Sequence, residues 1–124
     1  MSQKRPKHLA LWQIRLPLPG IVSILHRISG LLMFVAIPAM LYALEGTLSS
    51  AERFEAFRSC ISNPIVKIGL LAVLWGFLHH ACAGTRFLFL DVHKGLDLPT
   101  ARLTAKIVLV VSLLLTVVIG VLAW

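Results

Sequence analysis

Residues 107 to 124 read IVLVVSLLLTVVIGVLAW, an uncharged run from Ile107 to Trp124. At about 1.5 Å per residue it rises roughly 27 Å as a helix, close to the roughly 30 Å of a bilayer's hydrocarbon core. Two more such runs lie upstream: IGLLAVLWGFLHHACAGT from Ile68 to Thr85, and ISGLLMFVAIPAMLYAL from Ile28 to Leu44. The earliest extends back from Leu25 to Gly20 if His26 and Arg27 are tolerated near its end. The pattern predicts an all-α integral membrane protein with three transmembrane helices, at about residues 21–45, 65–90 and 103–124. Residues 1–124 then make a single membrane-anchor domain.

Composition agrees with the runs. The chain has 124 residues, 58% hydrophobic and 14% charged, with a mean hydropathy of +0.89. Soluble chains carry roughly 25% charged residues, so this one holds more apolar surface than a domain of its size buries. That content excludes disorder, and the length leaves no room for a second catalytic module. The net charge of +7 does not point to nucleic acid, because the basic residues are scattered at the ends of apolar runs. They suit a lipid surface better.

The connections are Glu45 to Pro64, with Ser49-Ser50 and Asn63-Pro64 as breakers, and about Asp91 to Arg102, with Lys94-Gly95 and Pro99. Basic residues gather before the first span (Lys4, Arg5, Lys7, Arg15) and around the second connection (Arg86, Lys94, Arg102, Lys106). The first connection holds Arg53 and Arg58 against Glu45, Glu52 and Glu55. The positive-inside rule therefore places the N-terminus and second connection in the cytoplasm, and the first connection outside. Trp12 and Trp124 fall near opposite interfaces, where indoles are favoured. The first run is longer than a signal peptide's apolar core, and no small-residue cleavage site follows it. Cys60 and Cys82 lie at different depths, which disfavours a disulfide, and neither a Cys-x-x-Cys-His nor a zinc-type cluster is present.

Several polar residues sit where lipid should exclude them. Ser23, His26, Arg27 and Gly30 follow at i, i+3, i+4 and i+7, one stripe of a helix. Arginine within hydrocarbon costs roughly 2.5–3.5 kcal/mol at the centre and less near an end, where it can snorkel. Arg27 thus either reaches the headgroups or, with Ser23 and His26, forms a polar site that presents a hydroxyl, an imidazole and a guanidinium to an anion or a carbonyl. In the second span, Gly76, His80 and Gly84 share a face, and glycines either side of a histidine clear room for a flat macrocycle or a close helix. His80 then either ligates a haem iron or hydrogen-bonds a neighbouring helix. His79 points about 100° away without that groove, and His8 and His93 fall outside the spans, on solvated surface. The first helix runs outward and the second returns, so the two polar segments share one leaflet and one pocket could use both. The third span, interrupted only by Ser112 and Thr116, reads as packing scaffold.

The stretch Ser23-Ile24-Leu25-His26-Arg27-Ile28-Ser29-Gly30, after Arg5-Pro6 and Arg15-Leu16-Pro17, closely resembles the cytochrome b membrane-anchor subunits of succinate dehydrogenase, respiratory complex II. The segment His80-Ala81-Cys82-Ala83-Gly84-Thr85-Arg86, followed by Asp91, is similar to that family's haem-ligand segment. Size, three-helix layout and motif order extend the resemblance over nearly the whole chain. It departs at Lys7 and Leu90, which affect local packing, and at Phe87, which replaces a histidine seen in some members.

The resemblance implies a heteromeric helical bundle in which a second membrane-anchor subunit joins this chain, alongside an iron–sulfur subunit and a flavoprotein subunit. It implies haem b with His80 as an axial ligand of the iron, and a quinone site with Ser23 and Arg27. His26 with Arg27 resembles the pair that meets the haem propionates. The other axial ligand would be a histidine of the companion anchor, because His79 cannot reach the opposite haem face. Ubiquinone is the implied substrate, reduced with electrons from succinate; separately, Leu/Val-rich helices without an evident transit peptide favour a bacterial inner membrane as the setting. The rival readings are a fumarate reductase-type anchor working with menaquinol, and a haem-free anchor or small membrane transporter.

Overall fold

The computed structural model describes residues 13–124, so Trp12, His8, the basic residues Lys4, Arg5 and Lys7, and the Arg5-Pro6 motif lie outside the described residues. Four helices follow: α1 (Leu18–Ser49), α2 (Ala51–Ser62), α3 (Pro64–Asp91) and α4 (Leu98–Ala123). Three of them, α1, α3 and α4, are long and apolar enough to cross a membrane. They correspond to the three predicted spans and run a few residues further at most of their ends.

The first connection is not a loop. The residues read as breakers instead cap helices. Ser50 accepts a hydrogen bond from Arg53 N–H at 3.2 Å and starts α2. Asn63 accepts from Ile65 N–H at 2.9 Å and starts α3, with Pro64 in its first turn. Side-chain acceptors at such positions satisfy backbone donors that the helix leaves free, and proline in the first turn loses no bond. Twelve residues of helix therefore fit between two sharp turns.

The second connection is short because both ends are capped. At the end of α3, Lys94 N–H donates to Phe89 O at 3.0 Å and His93 N–H to Leu90 O at 2.9 Å. These two bonds and the left-handed backbone of His93 (φ 59°) form a Schellman closure. Gly95 takes a second positive φ of 75°. Asp97 then accepts from Thr100 N–H at 3.0 Å and from its hydroxyl at 2.6 Å, capping α4. Those two bonds hold the Asp97 carboxyl below the ordinary carboxylate value, the side-chain bond contributing most.

Small residues bring the helices together, as they do where no hydrophobic drive separates helix from lipid. Ala83 of α3 and Ala105 of α4 are fully buried with Val22 of α1 and Val108 of α4. Further along α4 the buried positions are Ser112, Thr116 and Gly120. The two hydroxyls donate to their own helix, Ser112 to Leu109 O at 3.1 Å and Thr116 to Ser112 O at 2.7 Å, so the expected scaffold buries no unmet hydroxyl. Along the spans the outward-facing side chains are mostly apolar: Phe34 is 74% exposed and Leu122 81%, which suits lipid and partner helices and not water. Both cysteines are free.

Candidate functional site

Because α1 and α3 are antiparallel neighbours, the N-terminal third of α1 lies against the C-terminal half of α3. His26 is eight residues into α1, about 12 Å along it, and His80 is eleven residues before the end of α3, about 16 Å from that end. The two sequence segments meet there. The His26 and His80 rings stack with centroids 4.0 Å apart and planes at 16°. Phe87, one turn from Ala83 on α3, closes the edge of His26 at 5.1 Å.

Hydrogen bonding fixes the orientation of His80. Its Nδ1 lies 3.1 Å from the His26 carbonyl oxygen and 3.2 Å from Ser29 Oγ. A carbonyl can only accept, so the bond to His26 O places the proton on Nδ1. Ser29 Oγ donates its own proton to the same carbonyl at 2.9 Å, which leaves its lone pairs toward Nδ1–H. In the neutral imidazole this arrangement leaves the lone pair on Nε2 of His80, the state a metal ion requires. An imidazole whose second nitrogen is held by a carbonyl is also the usual arrangement of a metal-binding histidine.

The surroundings are trimmed to accommodate this ring. A Cβ on Gly30 would stand 3.1 Å from His80 Cε1, and one on Gly84 would stand 3.5 Å from His26 Nε2. The glycine at position 30 gives the His80 ring its room between the helices, whereas a Cβ at 84 would make only ordinary contact. His26 Nε2 is buried without a hydrogen-bond partner among the described residues, a costly state unless another group supplies one. A haem fits two of these features, a positioned imidazole with one nitrogen left unbonded and a partnerless buried ring nitrogen beside it, while Gly30 accommodates the imidazole itself. Among the described residues no three His, Cys, Asp or Glu side chains gather as a metal centre; a haem would bring its own iron and nitrogen donors, and His80 would be the residue of this chain to hold it.

The other predicted residues divide around this centre. Ser23 is half-buried and Arg27 exposed; neither has a side-chain partner among the described residues. The Ser23–Gly30 stripe thus straddles the seam, with His26 and Gly30 against α3 and Arg27 on the outside. His79 is fully buried, its ring 5.2 Å from Trp75 and neither nitrogen hydrogen-bonded. It faces the interior of the chain.

Two contributors were not assigned roles in the sequence. Ser29 lies inside the quoted motif, and its spacing of three from His26 and seven from Val22 puts it on the inner face of α1. Arg86 is buried, and joins α3 to α4 through Nε to Thr104 Oγ1 at 3.0 Å and Nη2 to the Ala101 carbonyl at 3.2 Å. It holds the end of α3 against α4.

A family model described as the succinate dehydrogenase/fumarate reductase transmembrane subunit matches residues 1–119, nearly the whole chain. The chain belongs to that family. Among curated relatives, the succinate dehydrogenase cytochrome b556 subunit of Coxiella burnetii is 36% identical over 100% of both chains. The subunit of the same name from Rickettsia felis is 34% identical over 95% of this chain and 92% of its own. That from Paracoccus denitrificans is 29% identical over 91% and 87%. Within the transmembrane-subunit family, the chain is thus of the cytochrome b type that anchors succinate dehydrogenase, a multi-pass membrane protein. These matches set aside the small-transporter reading.

Proposed function

We propose that this anchor binds haem b through His80 Nε2, shares it with a histidine of a second membrane-anchor subunit, and helps form a ubiquinone-reduction site with Ser23 and Arg27. The observation that carries the proposal is the bond from His80 Nδ1 to the His26 carbonyl, which leaves Nε2 as the free lone pair. Haem, when bound, supplies a one-electron relay whose potential depends on the axial ligands and their hydrogen bonds. The relatives carry cytochrome b556 in their names, which supports the same cofactor here.

The chain's own residues then have separate physical tasks. His26 offers its orphan Nε2, with the Arg27 guanidinium one residue on, to the propionates. Arg27 also stands beside Ser23 on the next turn. A quinone taking up two electrons passes through states with negative charge on its oxygens before two protons complete the quinol. Arg27 stabilises that charge and Ser23 donates to a carbonyl oxygen; both act more strongly in a partly dry pocket than in water. Electrons come from succinate through the flavoprotein and iron–sulfur subunits, docked on the cytoplasmic face of a bacterial inner membrane, where the basic N-terminal segment and second connection lie.

The family description spans both directions of turnover, and the relatives' names favour succinate oxidation over fumarate reduction; ubiquinone is the acceptor proposed with it. The test compares two activities of the purified complex. Arg27→Ala and Ser23→Ala lower succinate-to-ubiquinone turnover, by at least tenfold for Arg27, with succinate-to-soluble-dye turnover retained in both and haem content retained in Ser23→Ala. Equal loss of both activities, or loss of neither, contradicts the quinone role.

A further inference from the structure

The remaining unassigned element is α2, which lies between two spanning helices at the end of the bundle opposite His80. Its residues separate by chemistry around the helix at about 100° per residue. Phe54, Phe57 and Ile61 fall within an arc of about 60°, and Glu52, Glu55 and Ser59 occupy an arc of similar width on the opposite side. Arg53 and Arg58 flank the apolar arc, each about 40° beyond its edge. Phe54 is 48% exposed and Phe57 38%, so the chain itself leaves this face largely bare.

Neighbouring residues mark the level at which α2 sits. Leu48, in the last turn of α1, and Ile65, in the first turn of α3, are 78% and 79% exposed. Apolar side chains that bare on both flanks belong at the level of the acyl chains. On the same end, Lys67 lies 5.7 Å from the Trp124 ring, and tryptophan with lysine is the pairing that collects at the headgroup boundary.

We propose that α2 is an interfacial helix that lies in the plane of the membrane surface, with Phe54, Phe57 and Ile61 among the upper acyl chains of that leaflet. Arg53 and Arg58 reach lipid phosphates from either edge, Arg58 exchanging its exposed 3.9 Å contact with Glu55 for a phosphate, and Glu52 and Glu55 face water. Arginine stems can cover the border of the apolar strip while their guanidinium groups rise to the phosphates. Lipid is the occupant that the charge pattern selects, because two cations bordering an apolar strip match a phosphate layer over hydrocarbon. The helix then fixes the depth of the α1–α3 connection, and the proposal depends on neither haem nor quinone.

The test uses the whole complex in lipid nanodiscs, with a fluorescent amino acid introduced by stop-codon suppression at Phe57 or at Ser59. Quenching is read with phosphatidylcholine brominated on its acyl chains and with aqueous iodide. The expected result is bromolipid quenching several-fold stronger at position 57 than at 59, and the reverse order for iodide. Equal access of iodide to both positions places the helix in water, and shielding of position 57 from both quenchers places it under another subunit; either overturns the proposal. A reporter at Phe54 gives the same discrimination should the one at Phe57 disturb assembly, and Arg53→Glu with Arg58→Glu lowers the bromolipid signal.

Discussion

Gly30→Ala is the smallest change that reaches the centre of the site. The added methyl would stand 3.1 Å from His80 Cε1, where ordinary contact begins at 3.4 Å. The ring must therefore move by at least 0.3 Å, the difference of those two distances. It has little freedom to do so, because Nδ1 is bonded at 3.1 Å to His26 O and 3.2 Å to Ser29 Oγ, and the ring is stacked on His26. The Ser29 contact, lengthened by that amount, reaches the limit of a hydrogen bond. A weakened bond of this kind is worth about 0.5–1.5 kcal/mol, and loss of support behind a metal ligand typically lowers affinity by about 10–100-fold. We expect haem to bind about tenfold more weakly, equivalent to about 1.4 kcal/mol. The assay is haem per assembled complex, from the pyridine haemochrome spectrum, together with the reduction potential of whatever haem remains. Gly46→Ala on the same helix is the control, since a Cβ there meets nothing within 4 Å; it keeps full haem. Unchanged haem content and potential in Gly30→Ala would refute the claim that Gly30 and the two bonds to Nδ1 position the ligand.

Arg86→Lys cannot bond Thr104 and Ala101 with one planar group, and so loosens α3 from α4 by about 2 kcal/mol. The melting temperature of the complex should fall, whereas an unaltered melt would show the link to be dispensable. Asp97 is held below the ordinary carboxyl value of 3.8 by Thr100, so its folded form favours the charged state. Its stabilisation of the start of α4 is complete above 3.8 and is lost as pH falls through the lower folded value. Hydrogen exchange in residues 98–104, corrected for intrinsic rates, should therefore rise on acidification in the native chain and be fast and less pH-dependent in Asp97→Ala; matching profiles would contradict the cap.

The spans and the pairing of the two polar segments were legible in sequence because lipid imposes length and uniform polarity on a helix, and antiparallel order puts residues 23–30 beside 80–86. Position within a connection was harder to read. Ser50 and Asn63-Pro64 signal a break whether they end structure or cap the next helix, and only the i, i+3, i+7 pattern of Phe54, Phe57 and Ile61 separates the two cases. The roles of Ser29 and Arg86 depend on a register between helices that no single helix reveals: Ser29 acts through a residue 51 positions away, and Arg86 through Thr104 across the second connection. The two adjacent histidines differ in setting: His79 is fully buried beside Trp75, and His80 is half-buried and bonded to the His26 carbonyl of α1.

The central claim is that His80 Nε2 is the ligand this chain gives to haem iron, and the most direct measurement is the reduced-minus-oxidised absorption spectrum of the detergent-extracted complex. Native protein, His80→Ala and His79→Ala are compared at equal subunit stoichiometry. The predicted result is a b-type spectrum in native and His79→Ala complexes and its loss or severe weakening in His80→Ala. A native-like spectrum in His80→Ala, or loss confined to His79→Ala, would contradict the assignment.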